Sequence, residues 1–300
     1  MRRFSHITIV GCGLIGGSFA LALRRAGFSG RITACGGARG PQLALERGII
    51  DEIEDSFSRG ERCAADLVFL AAPIGAIIDF LRSRSTQIAS GALVTDAGST
   101  KTQICRVARE SLPADVHFLG GHPMAGSEHT GVEYARADLF DRAIYALVVE
   151  PAAEAAALDQ MRSLVTAIGA RPLLVDAVEH DQAVALVSHL PQLLSSSLSV
   201  LLGPELDGRV APRELAQRLA ATGWSDATRL AASSWSVWRD IILTNQSNIS
   251  TPLGSLIAEL QALKEAIDSG DLNYVRELFR VANLSVEEQR ALRYQTFEKL

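Results

Sequence analysis

Short apolar runs alternate with longer amphipathic stretches from the start of the chain to Val175, and then the alternation stops. Ile7–Val10, Arg31–Ala34, Leu67–Ala71, Leu93–Asp96, His117–Gly120, Ala146–Val149 and Arg171–Val175 are short and rich in β-branched or apolar residues, which predicts strands. The runs at Leu67 and Leu93 are apolar at nearly every position, as in a sheet covered on both faces. Between the first two runs, Gly17–Ala26 carries Phe19, Leu21, Ala22 and Leu23 on a helix suited to burial against that sheet. Strands alternating with helices predict a parallel α/β sheet.

Beyond Val175 the pattern becomes helical. Val178–Leu202, Pro212–Leu219, Trp224–Ala232, Ser236–Asn245, Ser250–Ser269 and Asp271–Gln295 are the expected helices, with a turn at Pro204–Gly208. A domain boundary is placed at Asp176, giving an α/β domain over 1–176 and an all-α domain over 177–300. The helical half is more apolar than one small core needs, which points to a subunit contact and a homodimer.

Composition narrows the class. The 300 residues are 48% hydrophobic, enough for two cores, and the net charge of -5 argues against a nucleic-acid or acidic-membrane partner. Any anionic small-molecule substrate must therefore meet a few local cations. Cys12, Cys35, Cys63 and Cys105 form no CxxC or Cys/His pattern, so they read as buried thiols of a reducing compartment, with no metal site. Met1-Arg2-Arg3 runs into the first strand without a cleavage site, and no uninterrupted apolar run reaches the roughly 18–20 residues of a membrane span. A cytoplasmic protein is expected.

Chemistry first surfaces at Gly11-Cys12-Gly13-Leu14-Ile15-Gly16, between a strand and a helix. Gly11 suits the tight turn, Gly13 the approach of a pyrophosphate, and Gly16 close helix–strand packing, the fingerprint of a Rossmann-type dinucleotide-binding domain. Leu14 and Ile15 open the helix whose N–H groups receive the phosphates, and Ala72-Pro73 lies on the same edge. An NAD site wants a carboxylate at the end of the second strand. Here the segment is Ala34-Cys35-Gly36-Gly37-Ala38-Arg39, small residues plus a cation, which favours NADP over NAD with Arg39 on the 2′-phosphate.

Further along stand Asp96-Ala97-Gly98-Ser99-Thr100-Lys101, Gly120-Gly121-His122-Pro123-Met124-Ala125-Gly126-Ser127-Glu128 with Gly131, His180-Asp181, Ser188-His189-Leu190-Pro191, and Trp238-Arg239-Asp240-Ile241 with Asn245. Together with the glycine fingerprint, and in this order over most of the chain, they resemble the prephenate/arogenate dehydrogenase family of tyrosine biosynthesis. The resemblance implies oxidative decarboxylation of a cyclohexadienol carrying a ring carboxylate at C1 and a hydroxyl at C4. It implies His122 as the catalytic acceptor of the hydroxyl hydrogen bond and Ser99 as the residue orienting that imidazole. Arg239 would bind the ring carboxylate, for which a planar guanidinium fork is suited. His189 would line the same pocket, and Glu128 and Asp181 would form a gating ionic network with Arg239. Gln192 stands where some relatives carry a histidine touching the substrate side chain, which leaves prephenate against arogenate open. An unperturbed imidazole near 6.5 is neutral at neutral pH and predicts loss of kcat/KM as His122 protonates.

Other residues read as structural: His6, His117 and His129 as core or surface groups, His180 as a shaper of the domain junction, Lys101 as a site neighbour or helix cap. Pro191 removes a hydrogen bond to the carbonyl of Val187 and predicts a bend. The chain looks like a minimal form without a chorismate-mutase-like or regulatory segment. Two alternatives stand beside this reading: a β-hydroxyacid dehydrogenase or imine reductase, which needs a lysine in the helical half where only Lys264 and Lys299 occur, and a non-catalytic NADP-binding regulator.

Overall fold

The computed structural model describes residues 4–37, 39–127, 129–149, 155–203 and 212–298. Eight strands form one sheet: β1 (His6–Val10), β2 (Arg31–Cys35), β3 (Glu52–Ile53), β4 (Leu67–Leu70), β5 (Leu93–Asp96), β6 (His117–Pro123), β7 (Ile144–Val148) and β8 (Arg171–Val175). Their order is β3-β2-β1-β4-β5-β6-β7-β8, and every neighbouring pair is parallel except β6 with β7. The helices of this half are α1 (Leu14–Arg25), α2 (Gly40–Glu46), α3 (Ser56–Arg59), α4 (Ile74–Arg84), α5 (Thr102–Ser111) and α6 (Ala155–Ala167). The Rossmann-type sheet and the helical remainder agree with the expected fold class.

Both faces of the sheet are covered, as the apolar runs required. Ile7, Ile9, Leu67 and Phe69 point to one side, against Phe19 and Leu23 of α1, with Phe19 and Phe69 at 4.1 Å between ring centroids. Val68, Leu70 and Val94 point to the other, against Ile77 and Leu81 of α4 and Ile104 and Val107 of α5. Each such side chain contributes about 1.5–3 kcal/mol on full burial, so this sheet is a rigid platform for the loops at its carboxyl edge.

Two features went unpredicted. The two-residue β3 is too short to show a period, and β7 runs antiparallel to β6 because hydrophobic pattern carries no strand direction. The second matters: pairing His122 with Ala146 and Pro123 with Tyr145 extends β6 past Gly120, so His122 sits on a strand instead of a loop. Gly121 makes room for this, since a Cβ there would lie 2.5 Å from the Asp96 carbonyl oxygen.

The helical part opens at α7 (Ala177–Val184), whose N-terminus is capped by the Asp176 carboxylate accepting from the N–H groups of Val178 and Glu179 at 2.7 and 3.1 Å. A π-helical turn, Ala185–His189, joins α7 to α8 (Leu190–Val200). Pro191 explains it: with no N–H to return to Val187, the helix widens for one turn before resuming. Ala177–Val200 is long and apolar enough, by length and composition, to cross a membrane. Yet its buried face carries His180, Asp181, His189 and Gln192, all hydrogen-bonded to protein groups. That is the pattern of a helix packed beside a polar site. Then follow α9 (Arg213–Leu219), α10 (Thr222–Thr228), α11 (Trp235–Ser269) and α12 (Leu272–Glu298). The two helices expected at Ser236–Asn245 and Ser250–Ser269 run as one, with a break at Asn245 (φ -132°, ψ 22°).

The chain divides into compact units at 1–249 and 250–300. The first unit thus holds α7, α8 and the start of α11 together with the sheet, through bonds such as Thr100–Thr244 at 2.8 Å between hydroxyls. In the second, the Tyr274 hydroxyl donates to Glu259 at 2.9 Å, while Leu272 and Phe279 are exposed.

Candidate active site

The cofactor cradle follows from the glycines. Gly11 has φ +95°, and a Cβ on it would fall 2.6 Å from the Ala71 carbonyl oxygen, so only glycine lets β1 turn beside β4 here. At Gly16 a Cβ would fall 2.2 Å from the Gly11 oxygen, whereas at Gly13 it would meet nothing within 4 Å. Gly11 and Gly16 serve packing, and Gly13 leaves space above the α1 N-terminus, which no side chain caps among the described residues. Leu14 and Ile15 therefore offer N–H groups to a pyrophosphate, with helix-dipole support. Ala72 and Pro73 lie across from them, Pro73 at the N-cap of α4. A cleft of about 440 Å³ opens at the end of β2, lined by Cys35, Gly36 and Gly37 and by Glu54 and Asp55. Arg39 is exposed at the N-cap of α2. These residues fit a dinucleotide.

His122 stands near the end of β6 and is 9% exposed. Its Nδ1 lies 2.9 Å from Nε2 of His180, with the rings edge to face at 71°. The other nitrogen of His180, Nδ1, lies 2.9 Å from Asp181 Oδ1. Asp181 also accepts from the backbone N–H groups of Lys101 (2.7 Å) and Thr102 (2.9 Å), at the start of α5. Burial alone would raise the Asp181 pKa, but the hydrogen bonds from His180, Thr102 and Lys101 outweigh it and hold the carboxyl below its usual range. Behind His122, the fully buried Lys101 ammonium pairs with the fully buried Asp96 carboxylate and donates to the Gly121 carbonyl at 2.6 Å. Burial first, then the nearby His180, Lys101 and His189, push the His122 pKa well below 6.5. The lowered pKa keeps this buried imidazole neutral at neutral pH.

His189, on the π turn, is 1% exposed, and its ring meets Trp238 edge to face at 5.7 Å. Its pKa is lowered to about 4, chiefly by burial, with Asp181 opposing and His180 reinforcing. The break in α11 turns Asn245 inward, where its Nδ2 donates to the Asp181 carbonyl at 2.8 Å and lies 3.2 Å from His189 Nδ1. Arg239, one turn and a half earlier on α11, donates through Nε and Nη2 to Asp240 Oδ1 at 3.0 and 2.8 Å. Asp240 Oδ2 in turn accepts from the Gly75 N–H at 2.8 Å, in the first turn of α4. Among the described residues, nothing takes the other three N–H donors on the Nη1/Nη2 end of the guanidinium, which suit a ligand carboxylate.

His122, His189 and Asp181 thus form one polar cluster, with Arg239 on the helix that carries Trp238 and Asn245. Asp181 is committed to His180 and the start of α5, while the carboxylate at Arg239 belongs to Asp240. Ser99 is half-buried in the β5–α5 loop. Gln192 is buried, its amide donating to the Leu230 carbonyl at 2.7 Å and accepting from the Ser233 hydroxyl at 3.1 Å, which fastens α8 to the segment before α11. Glu128 lies outside the described residues. His6 bonds to Thr33 and Arg31 in the core, and His129 stacks on Tyr134. The Lys264 ammonium pairs with Asp268 at the surface, and Lys299 lies outside the described residues. His180 and Asn245 carry more of the site than their sequence context indicated. The only sequence signal for His180 was its neighbour, an acid able to fix its ring.

Comparison with known proteins adds independent findings. Residues 19–174 match the family described as prephenate dehydrogenase, nucleotide-binding domain, and residues 176–281 its dimerization domain. The Bacillus subtilis prephenate dehydrogenase is 33% identical over 278 residues, 92% of this chain and 74% of the relative. The Zymomonas mobilis cyclohexadienyl dehydrogenase is 30% identical over 286 residues, 93% of this chain and 94% of the relative. Among solved structures, A. aeolicus prephenate dehydrogenase in complex with hydroxyphenyl propionate and NAD+ superposes with a TM-score of 0.82 at 31% identity, covering 95% of this chain and 98% of that one. Synechocystis arogenate dehydrogenase gives 0.78 at 29% identity, covering 95% and 99%.

Proposed function

Because the chain belongs to the prephenate dehydrogenase family, we propose that it oxidatively decarboxylates prephenate or arogenate with a nicotinamide dinucleotide as oxidant, in tyrosine biosynthesis. When bound in the glycine cradle, the oxidised nicotinamide supplies the acceptor for the hydride that leaves C4. The chain's own residues do the rest. His122 Nε2 accepts the hydrogen bond of the C4 hydroxyl, takes its proton as the carbonyl forms and returns it to the same oxygen as the C1–carboxylate electron pair enters the ring, work that needs an uncharged imidazole at the outset. Ser99, in the adjacent loop, helps place that hydroxyl. Arg239 holds the C1 carboxylate through its free end until carbon dioxide departs and the ring aromatises, and His189 contacts the substrate from the π turn. A gating role for Glu128 beside Arg239 is part of this proposal. Gln192 shapes the wall through its bonds to Leu230 and Ser233. The observation that carries this reading is a buried, neutral His122 wired through His180 at the carboxyl edge of a sheet with an intact dinucleotide turn.

NADP is the proposed preference, supported by the small residues after β2 and the exposed Arg39. NAD is the second reading, because Glu54 and Asp55 line the same cleft and place carboxylates beside a ribose. Functionally, residues 1–176 hold the dinucleotide and 177–300 complete the substrate pocket and mediate a homodimer. Cys12, Cys35 and Cys63 remain thiols, which suits a cytoplasmic setting. The decisive experiment follows reduced-nicotinamide absorbance with prephenate and arogenate, each with NAD and NADP, in the parent and in Arg39→Ala. Turnover of neither substrate refutes the activity. Arg39→Ala should raise KM for NADP far more than for NAD, and equal effects refute the cofactor preference.

A further inference from the structure

Resting on the dehydrogenase reading above, we propose that Asp181 is the positioning residue that sets opposite tautomers in the two site histidines. His122 then presents a bare Nε2 to the substrate, while His189 presents an Nε2–H.

A carboxylate can only accept, and Asp181 is fastened as a carboxylate by the N–H groups of Lys101 and Thr102. His180 Nδ1, 2.9 Å from Asp181 Oδ1, must therefore carry a proton. With that single proton on the His180 ring, the opposite nitrogen, Nε2, is bare. That nitrogen lies 2.9 Å from His122 Nδ1, so the shared proton belongs to His122 Nδ1. His122 Nε2 is left as an acceptor, which is what a hydroxyl proton needs.

The same residue acts a second time through its main chain. The Asp181 carbonyl also can only accept, so the Asn245 side-chain atom 2.8 Å from it is the amide nitrogen. The other proton of that nitrogen faces His189 Nδ1 at 3.2 Å, so Nδ1 accepts and His189 carries its hydrogen on Nε2. An Nε2–H is thus the one polar group His189 has left for a ligand, and it suits an oxygen acceptor on the substrate. The Asn245 carbonyl is occupied by the Asn248 amide at 2.8 Å, which keeps the amide from turning over. Asp181 itself, 1% exposed and surrounded by donors, cannot reach a substrate and is not a base in the reaction.

The wiring also helps catalysis at the moment of proton transfer. When His122 Nε2 takes the hydroxyl proton, the positive charge on its ring faces His180, and behind His180 the negative Asp181. A triad of this sense, with the acid two links from the base, stabilises the developing imidazolium without itself being protonated.

Nitrogen-15 NMR of histidine-labelled full-length protein tests this without any turnover, with His122→Asn and His189→Asn assigning the signals. The expected spectrum shows His122 protonated at Nδ1 and His189 at Nε2. Kinetics give the second readout. His180→Gln can still accept from His122 and donate to Asp181, and should lose less than about tenfold in kcat. His180→Phe removes the acceptor, and Asp181→Asn the fixed charge; each should lose about 100-fold or more, with dinucleotide KM unchanged. A parent His122 protonated at Nε2, or equal kcat losses for His180→Gln and His180→Phe, overturns the assignment. If the expected tautomers are seen and neither substrate turns over, the wiring stands and the dehydrogenase reading falls.

Discussion

At the scale of residues, burial changes what His122 is expected to do with pH. An unperturbed imidazole predicts an acid limb near 6.5. The groups that face the ring move it: burial first, then His180, Lys101 and His189 all disfavour a second positive charge. Asp181 lies beyond His180, bonded to its Nδ1, and Asp96 is already paired with Lys101. The folded-state pKa therefore lies below the unfolded one, so the neutral base persists as pH falls through 6.5 and is lost only in more acid solution. The expected kcat/KM profile is level across pH 6.5, and a fitted limb at or above that value contradicts the burial described. His189 has the same sign and a lowered value of about 4. Its contribution to stability, complete above the unfolded value near 6.5, drains away as pH falls toward 4, and thermal unfolding followed across that window should show Tm dropping. The sequence made His122 and Arg239 legible because each lies in a dense local motif. His180 was not, because its role depends on a contact between residues 58 apart in the chain, which no local pattern encodes.

At the scale of elements, the site depends on β6 continuing three residues further than its hydrophobic pattern shows, to Pro123. Gly120 and Gly121 broke the apolar run, so the strand was expected to stop where the glycines begin. They are there because the chain is crowded: a Cβ at Gly120 would sit 2.9 Å from Cys105 Sγ, and at Gly121 2.5 Å from the Asp96 oxygen. Gly121→Ala must push β6 away from β5, and backbone gives way less readily than a flexible side chain. It should destabilise the protein by about 1–3 kcal/mol, the usual range for overpacking. Because Lys101 donates to the Gly121 carbonyl and His122 follows directly, kcat should fall beyond what lost folded protein explains. Denaturant melts alongside active-site-normalised rates measure both, and a variant as stable and active as the parent would show that β6 has slack. The π turn was half-visible in the same way. Pro191 announced a bend, but sequence alone could not say that the bend would take the form of a widened turn carrying His189 inward.

At the scale of the whole molecule, the helical half raised the question of a subunit partner, and the apolar exposure in the first compact unit sharpens it. Leu186 and Val187 lie on the outer side of the π turn at 56% and 62% exposure, three and two residues before His189 on the same turn. Leu243 is 70% exposed on α11, two residues before Asn245. Single exposed apolar residues are ordinary, but these back directly onto the segments that position a site histidine and its amide partner. A homodimer covering them would bury the π turn and hold it, so subunit association and substrate binding would share one element. Leu186→Asp combined with Leu243→Asp places charges on both segments without touching a buried side chain. The expected result is a shift from dimer to monomer in sedimentation velocity, accompanied by a several-fold rise in KM for the cyclohexadienol while KM for the dinucleotide stays within twofold, since the glycine cradle is built on β1, β4 and α1 and not on the π turn or α11. If the variant stays dimeric, these segments are not the contact. If it becomes monomeric with both KM values unchanged, the π turn holds its shape through Pro191 and its own packing, and association serves stability alone.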